Sequence, residues 1–153
     1  MTVDPRSALD TVALRVFVYD WLVSHSLPPT AREIAEHWRT DEDFVKRMLG
    51  ALEIGKTALV DPGSGEIWMA GPFAASPTPY RVIGSQASWW ANCAWDMLGI
   101  AALASEPVRI EASCTDCREA MTMHVDPSAG ASDAGIVHFL LPARRWYDDI
   151  GFT

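Results

Sequence analysis

The sequence predicts an α+β protein, in which an N-terminal winged helix-turn-helix-like unit precedes a small, mostly antiparallel sheet packed on one apolar helix. Three helical patterns are followed by two short strand-like runs around a turn, which is the element order of a winged helix. Further along, one long apolar helical segment precedes three strand-like runs. The 153 residues are 49% hydrophobic and 21% charged, which is typical of a globular chain.

Each N-terminal helix carries its own start signal or apolar pattern. Asp4-Pro5 offers an N-cap followed by proline at the first helical position. Apolar residues at helical spacing then predict the buried stripe of the first helix: Leu9, Val12, Val16, Tyr19 and Val23. Thr30 with Glu33 makes a capping box for the second helix, and Thr40 with Asp43 repeats that pattern for the third.

A hairpin and a linker complete the N-terminal unit. Strand-like runs at residues 57–60 and 67–69 flank a turn-rich stretch, which predicts a β-hairpin. Residues 74–79 are alanine, serine, threonine and proline only, a composition that favours a linker. We therefore expect a winged-helix-like domain at residues 1–73 and a second, α+β domain at residues 80–153.

The charge balance bears directly on what a winged helix could bind. The chain has 12 basic and 20 acidic residues, a formal net charge of −8. Its third helix, the one that enters the major groove in DNA-binding proteins of this type, would begin with three carboxylates at residues 41–43. Because phosphate repels carboxylate, the sequence predicts a protein that does not bind nucleic acid.

Membrane insertion and export are not expected either. No apolar stretch of the sequence approaches the roughly 20 residues that span a bilayer, and residues 1–10 lack the apolar core of a secretory signal. The cysteine count is 3, an odd number that suits free thiols in a reducing compartment. We expect a cytoplasmic protein.

The second unit is predicted to place one helix against a sheet. The helix would begin at Ser85 or Ser88 and run to about Leu103. Strand-like runs are predicted on both sides of it, at residues 80–83, 108–112, 120–125 and 136–141.

Cys93 and Asp96 are the most informative pair in the chain. On a helix they are neighbours at i and i+3. A carboxyl group among apolar side chains favours its protonated form, so the pair could combine a nucleophilic or metal-binding sulfur with a proton donor. The alternative is that Cys93 is a small core residue and Asp96 a solvated one. Apolar neighbours predicted to form a substrate pocket are Trp89, Trp90, Trp95 and Ile100.

The Cys114–Cys117 pair has the Cys-x-x-Cys spacing of half a zinc site. His124 and His138 could complete four ligands. A redox pair is a second interpretation, although no thioredoxin-like βαβ pattern precedes the motif, and two unlinked thiols are a third.

The segment Asn-Cys-Ala-Trp-Asp at residues 92–96, with Leu-Gly-Ile-Ala-Ala-Leu at 98–103, resembles the active-site helix of organomercurial (alkylmercury) lyases. Residues 108–114 resemble a strand of that family that ends in a structural cysteine. Residues 135–142 resemble a strand that closes with proline. The family also has an N-terminal winged-helix-like unit that does not bind DNA.

This resemblance implies an enzyme that cleaves a carbon–mercury bond by protonolysis. Cys93 as thiolate would capture Hg(II), and Asp96 would pass a proton to the departing carbon. The expected partners are a small apolar organometal and cellular thiols. No cofactor is required, and Hg(II) is the product.

One feature of the family pattern is missing. Family members use a second catalytic cysteine shortly after a segment that resembles residues 146–153, and no cysteine follows Val125 here. We expect either a chain truncated before that thiol or a divergent member that lacks it, in which Cys114 or Cys117 could substitute. The alternatives are a relative acting on another substrate and a metal-binding, organometal-binding or regulatory protein.

Overall fold

The computed structural model describes residues 9–114, 116–131 and 136–150. Its helices are α1 (Thr11–Ser24), α2 (Ala31–Trp38), α3 (Glu42–Ile54), α4 (Ala94–Ala104) and a 3₁₀ helix (Ala143–Asp148). Its strands are β1 (Ala58–Val60), β2 (Ile67–Ala70), β3 (Phe73–Ala74), β4 (Tyr80–Ile83), β5 (Ser88–Ala91), β6 (Val108–Ser113), β7 (Ala120–Asp126) and β8 (Gly130–Ala131).

All eight strands belong to one antiparallel sheet, in the order β1-β2-β3-β5-β4-β6-β7-β8. The sheet is therefore larger than expected, and the β1–β2 hairpin forms one edge of it. The short β3 connects that hairpin to the rest, since Ala74 pairs with Met69 on one side and Trp90 on the other. Ala74 was placed in the predicted linker, while the division into domains 1–73 and 80–153 stays a prediction.

The first helix starts later and buries a different face than the sequence predicts. Asp10 is its N-cap and accepts hydrogen bonds from the N–H groups of Val12 and Ala13. The Asp4-Pro5 cap lies outside the described residues. Buried side chains are Leu14, Val18 and Leu22, whereas Val12 and Val16 are 60% and 50% exposed. The predicted stripe was wrong at Val12 and Val16, whereas Leu9 is buried and Tyr19 and Val23 pack against the core. α1 is apolar on two adjacent faces, and packing against α3 buries the face of Leu14, Val18 and Leu22.

The capping box of Thr30 and Glu33 is confirmed at α2. The cap of α3 is Asp41, whose carboxylate accepts from the N–H of Phe44 at 2.7 Å. Thr40 lies one residue before this cap and belongs to the end of α2, where its N–H donates to the carbonyl of Ala35 at 3.0 Å.

The predicted helix from Ser85 or Ser88 was wrong in its first half. Residues 88–91 form β5, and only α4 is helical. Alternate residues of β5, Trp89 and Ala91, are buried, which is the period of a strand and not of a helix. Tryptophan also favours strands.

The predicted strand at residues 136–141 was wrong, because these described residues form no strand. The strand that pairs with β7 on its outer side is β8.

The core joins both halves of the molecule. α4 packs on β4, β5 and β6, and α1, α2 and α3 pack together beside β1. The buried residues form one continuous apolar cluster. Within the described residues, no helix has the length and hydropathy needed to cross a bilayer.

Candidate active site

A cleft of about 970 Å³ opens at the N-terminal end of α4. One wall comes from the start of α4 and residues 69–72, and the other from residues 137–150. Cys93, Asp96 and Asn92 all line it. All three side chains are partly exposed. A ligand in the cleft can therefore reach these polar groups, although water solvates them only in part.

Cys93 is the N-cap of α4, in extended conformation (φ −146°, ψ 177°), and Asp96 is the third residue of the first turn. The end of β5 fixes this position, because Ala91 pairs with Phe73 and the N–H of Asn92 donates to the carbonyl of Pro72 at 3.2 Å. Cys93 and Asp96 thus occupy the N-cap and N3 positions, which are neighbours on the first turn. The structure thus brings the pair together, although Cys93 lies before the helix and not within it.

Burial raises the pKa of the Asp96 carboxyl, and hydrogen bonds from the Cys93 thiol, the Asn92 side chain and the Cys93 N–H offset part of that rise. Burial also raises the pKa of the Cys93 thiol. The N–H of Asp96 opposes this rise, the charge of Asp96 adds to it, and the N–H of Trp95 opposes it again. Each group therefore holds a proton to higher pH than usual.

Asn92 connects this pair to the preceding turn. Its Nδ2 donates to the carbonyl of Gly71 at 2.6 Å, and its Oδ1 is buried with no hydrogen-bond partner in the described structure. Gly71 has φ 56°, and a Cβ there would collide with the Tyr19 hydroxyl. The carbonyl that orients Asn92 thus depends on a glycine.

Tyr19 of α1 lies behind the same turn. Its hydroxyl donates to the carbonyl of Thr57 at 3.4 Å. Burial raises the pKa of Tyr19, Arg15 lowers it, and the charges of Tyr147 and Asp96 raise it further. The Tyr19 side chain is therefore neutral, and it lies near Asp96 without lining the cleft.

Aromatic side chains form the outer wall of the cleft. Trp95 contacts Phe139 with ring centroids 6.1 Å apart, and Phe139 contacts Trp146 at 5.2 Å. The 3₁₀ helix that carries Trp146 packs on the α3–β1 loop, because the Tyr147 hydroxyl donates to the Lys56 carbonyl and the Lys56 ammonium lies 4.3 Å from the Tyr147 ring. An apolar ligand group next to Cys93 would contact these rings.

Three of the four predicted pocket residues lie elsewhere. Trp89 is 2% exposed and its Nε1 donates to the carbonyl of Leu22 at 2.6 Å, so it joins the sheet to α1. Ile100 is fully buried in the core. Trp90 lies on β5 under the guanidinium of Arg81. Trp95 alone of these four lines the cleft. The first three were misplaced because Trp89 and Trp90 are on a strand, and Ile100 faces the sheet.

Cys114 and Cys117 lie in the β6–β7 loop. His124 is on β7 opposite Arg109, whereas His138 lines the cleft. In the described ranges, no group of three or more histidine, cysteine or acidic side chains could hold a metal ion. The zinc site that the spacing suggests stays a prediction.

Phe139, Trp146, Asn92 and Tyr19 were not among the predicted site residues. Asn92 carried a local signal, since a polar side chain directly before an N-cap can reach the first turn. The other three come from segments distant in sequence, which no periodicity connects.

The family model described as alkylmercury lyase matches residues 73–152. The fold is similar to a crystal structure of the mercury-bound form of MerB2, with a TM-score of 0.53 and 16% sequence identity over 68% of this chain. The chain spans about half of that structure, 51%. No curated protein matches it. By the family match over residues 73–152, this chain is a member of the alkylmercury lyase family.

Proposed function

We propose that this protein cleaves a carbon–mercury bond by protonolysis, using the Cys93 sulfur to hold mercury and Asp96 to move the proton. The observation that carries the proposal is the contact between a half-buried thiol and a half-buried carboxyl at the wall of one cleft. Membership in the alkylmercury lyase family supports the same chemistry.

The first step is thiol exchange. An organomercurial R–Hg–SR′ enters the cleft, the Cys93 sulfur bonds to mercury, and the R′S⁻ group leaves. The Cys93 proton passes to the Asp96 carboxylate, whose raised pKa favours holding it. Sulfur is the ligand that soft Hg(II) prefers.

The second step breaks the carbon–mercury bond. Asp96 donates its proton to the carbon, which leaves as the hydrocarbon R–H, and a thiolate takes its place on mercury. A cellular thiol supplies this second sulfur. The product is Hg(II) held by Cys93 and that thiolate, and Asp96 returns to its carboxylate form. A reducing cytoplasm would supply these cellular thiols and would keep the cysteines of the protein in the thiol form.

The aromatic wall would bind the organic group of the substrate. Trp95 on α4, together with Phe139 and Trp146 of the C-terminal segment, presents ring surfaces to the cleft. Apolar contact would favour a hydrocarbon substituent and exclude part of the water that competes as a proton source.

The test is hydrocarbon release. Incubation of the full chain with a phenylmercury salt and excess monothiol should yield benzene, measured by gas chromatography. Cys93→Ser should abolish release, because a hydroxyl binds Hg(II) poorly. Serine is itself a good N-cap, so this variant should fold.

A matched control separates a site effect from a charge effect. Asp96→Asn should reduce release strongly, whereas Asp20→Asn, on the exposed face of α1, should leave it unchanged. Stoichiometric mercury binding without benzene would instead favour an organometal-binding protein, and release unaffected by Cys93→Ser would contradict the mechanism.

We further propose that α1, α2, α3 and the β1–β2 hairpin form a winged-helix-like unit that does not bind DNA. The start of α3 carries Asp41, Glu42 and Asp43, which would repel phosphate. A gel-shift titration at low salt should show no complex, and a salt-sensitive complex would contradict the proposal.

A further inference from the structure

The loop between β6 and β7 holds the two cysteines that the proposed reaction does not use. The β6–β7 ladder ends at the pair Ser113 and Ala120. Beyond it, the N–H of Cys114 donates to the carbonyl of Glu119 at 2.9 Å, and the N–H of Arg118 donates to the carbonyl of Cys114 at 2.8 Å. Arg118 adopts the left-handed conformation, φ 61°. The hydrogen bonds close a tight turn that brings Cys117 back toward Cys114.

The two sulfurs interact within this turn. The Cys114 sulfur accepts hydrogen bonds from the N–H groups of Cys117 and Asp116 and contacts the Cys117 thiol, and these contacts lower the pKa of Cys114. Cys117 is exposed and Cys114 half-buried. An accessible thiol therefore lies next to a second, half-buried thiol on the same turn.

The set of nearby ligands limits what this pair could bind. Zn²⁺ in a structural site takes four ligands. The described residues offer no third histidine, cysteine or carboxylate in position to complete such a site. A soft ion that accepts two thiolates fits the pair better.

We propose that Cys114 and Cys117 form a dithiol site for a soft, two-coordinate metal ion, with Hg(II) as the representative, separate from the Cys93 site. Each sulfur forms one bond to the ion, and the two thiol protons are released to solvent. Two thiols on one turn act at high effective concentration, so together they should bind about 10²- to 10⁴-fold more tightly than either alone.

The position of the loop places this site close to the cleft but outside its lining. The N–H of Ser113 donates to the carbonyl of Pro79 at 3.3 Å, and Pro79 lines the cleft. Neither Cys114 nor Cys117 lines it. The site therefore does not depend on the proposed lyase activity.

The test uses mercuric chloride and the reduced Cys93→Ser variant, so that only the two loop thiols remain. After desalting in excess monothiol, elemental analysis should find about one Hg per chain, and size-exclusion chromatography should show the same oligomeric state as before. Either Cys114→Ser or Cys117→Ser, added to this variant, should remove the ion. The reason is that the affinity for Hg(II) should fall about 10²- to 10⁴-fold when one of the two thiols is lost.

Asp116→Asn in the same background is the matched control, because it changes the loop without removing a thiol. It should retain Hg, and a loss as large as that caused by Cys117→Ser would overturn the two-sulfur site. No Hg on the Cys93→Ser variant, Hg held between two chains, or retention after loss of one thiol would also overturn it. So would zinc chloride held as tightly under the same treatment.

Discussion

Asp96 is a carboxyl whose ionised form is disfavoured by the folded state, since burial raises its pKa. The folded protein therefore binds this proton to higher pH than the unfolded chain does. The bound proton makes its full contribution to the free energy of unfolding below the pKa of the unfolded chain, about 3.9 for aspartate. That contribution is lost as the pH rises through the pKa of the folded state.

Asp96→Asn should remove this pH dependence, because asparagine carries no charge to desolvate. Relative to the unchanged protein, the variant should gain stability as the pH rises from about 4 toward neutral, and the gain should then level off. Urea unfolding at a series of pH values measures it. Asp20→Asn, on exposed surface, should show no such trend, and a relative loss of stability for Asp96→Asn over that range would contradict the assignment.

Substitutions of Trp89 on β5 and Trp95 on α4 should affect different properties, the first the stability of the fold and the second the binding of substrate. Trp89→Phe removes the donor to the Leu22 and His25 carbonyls and should lower the free energy of unfolding by about 2 kcal/mol while leaving KM for an organomercurial unchanged.

Trp95→Ala should do the reverse. Trp95 is 52% exposed and lines the cleft, so its loss should cost less than about 1 kcal/mol of stability. KM for phenylmercury should rise about tenfold, the equivalent of roughly 1.4 kcal/mol. Chemical unfolding and steady-state kinetics check both variants, and a KM effect from Trp89→Phe alone would place the pocket elsewhere.

At the scale of elements, the site depends on the turn between β2 and β3. Gly71 holds a left-handed backbone there, and its carbonyl fixes Asn92 beside Asp96. α1 contributes through Tyr19, which fills the space a side chain at Gly71 would need. The N-terminal helices therefore support the active-site geometry without lining the cleft.

Gly71→Ala should damage both folding and activity. The left-handed conformation costs an L-residue about 1–2 kcal/mol, and the new methyl would also displace Tyr19. Displacement of the carbonyl from Asn92 should reduce hydrocarbon release about tenfold or more. Thermal unfolding and the benzene assay measure the two effects.

Two other glycines are controls for Gly71. Gly130→Ala has φ 90° but open space, so it should show the backbone cost without loss of activity. Gly50→Ala lies inside α3 with no atom within 4 Å and should stabilise by about 1 kcal/mol. Equal activity in Gly71→Ala and Gly130→Ala would show that the turn does not position Asn92.

The sequence predicts elements well where the signal is local. The capping box of Thr30 and the β1–β2 hairpin follow from neighbouring residues alone. The contact between Cys93 and Asp96 was also predictable, because N-cap and N3 positions lie as close as i and i+3 positions within a helix. The β5 error came from an apolar run that fits both strand and helix, and pairing with β3 and β4 decides it.

At the scale of the whole molecule, the cleft has walls from three distant parts of the chain. Lys56, Trp95 and Phe139 become neighbours only when the C-terminal segment folds across α4. Such contacts depend on the tertiary arrangement, so no sequence pattern could predict them. The apolar run at residues 136–141 is typical of a buried strand, but its residues Val137, Phe139 and Leu140 line the cleft instead.

The central claim is that the Cys93 sulfur holds the organomercurial until Asp96 delivers a proton. The most direct measurement uses a protein whose only cysteine is Cys93, by Cys114→Ser and Cys117→Ser, with Asp96→Asn added. After one equivalent of phenylmercury and a monothiol, intact-protein mass spectrometry should detect a lasting phenylmercury adduct on Cys93 and no benzene, while the parent with Asp96 turns over. Benzene formed at the parent's rate without Asp96, or no adduct on Cys93, would contradict the account.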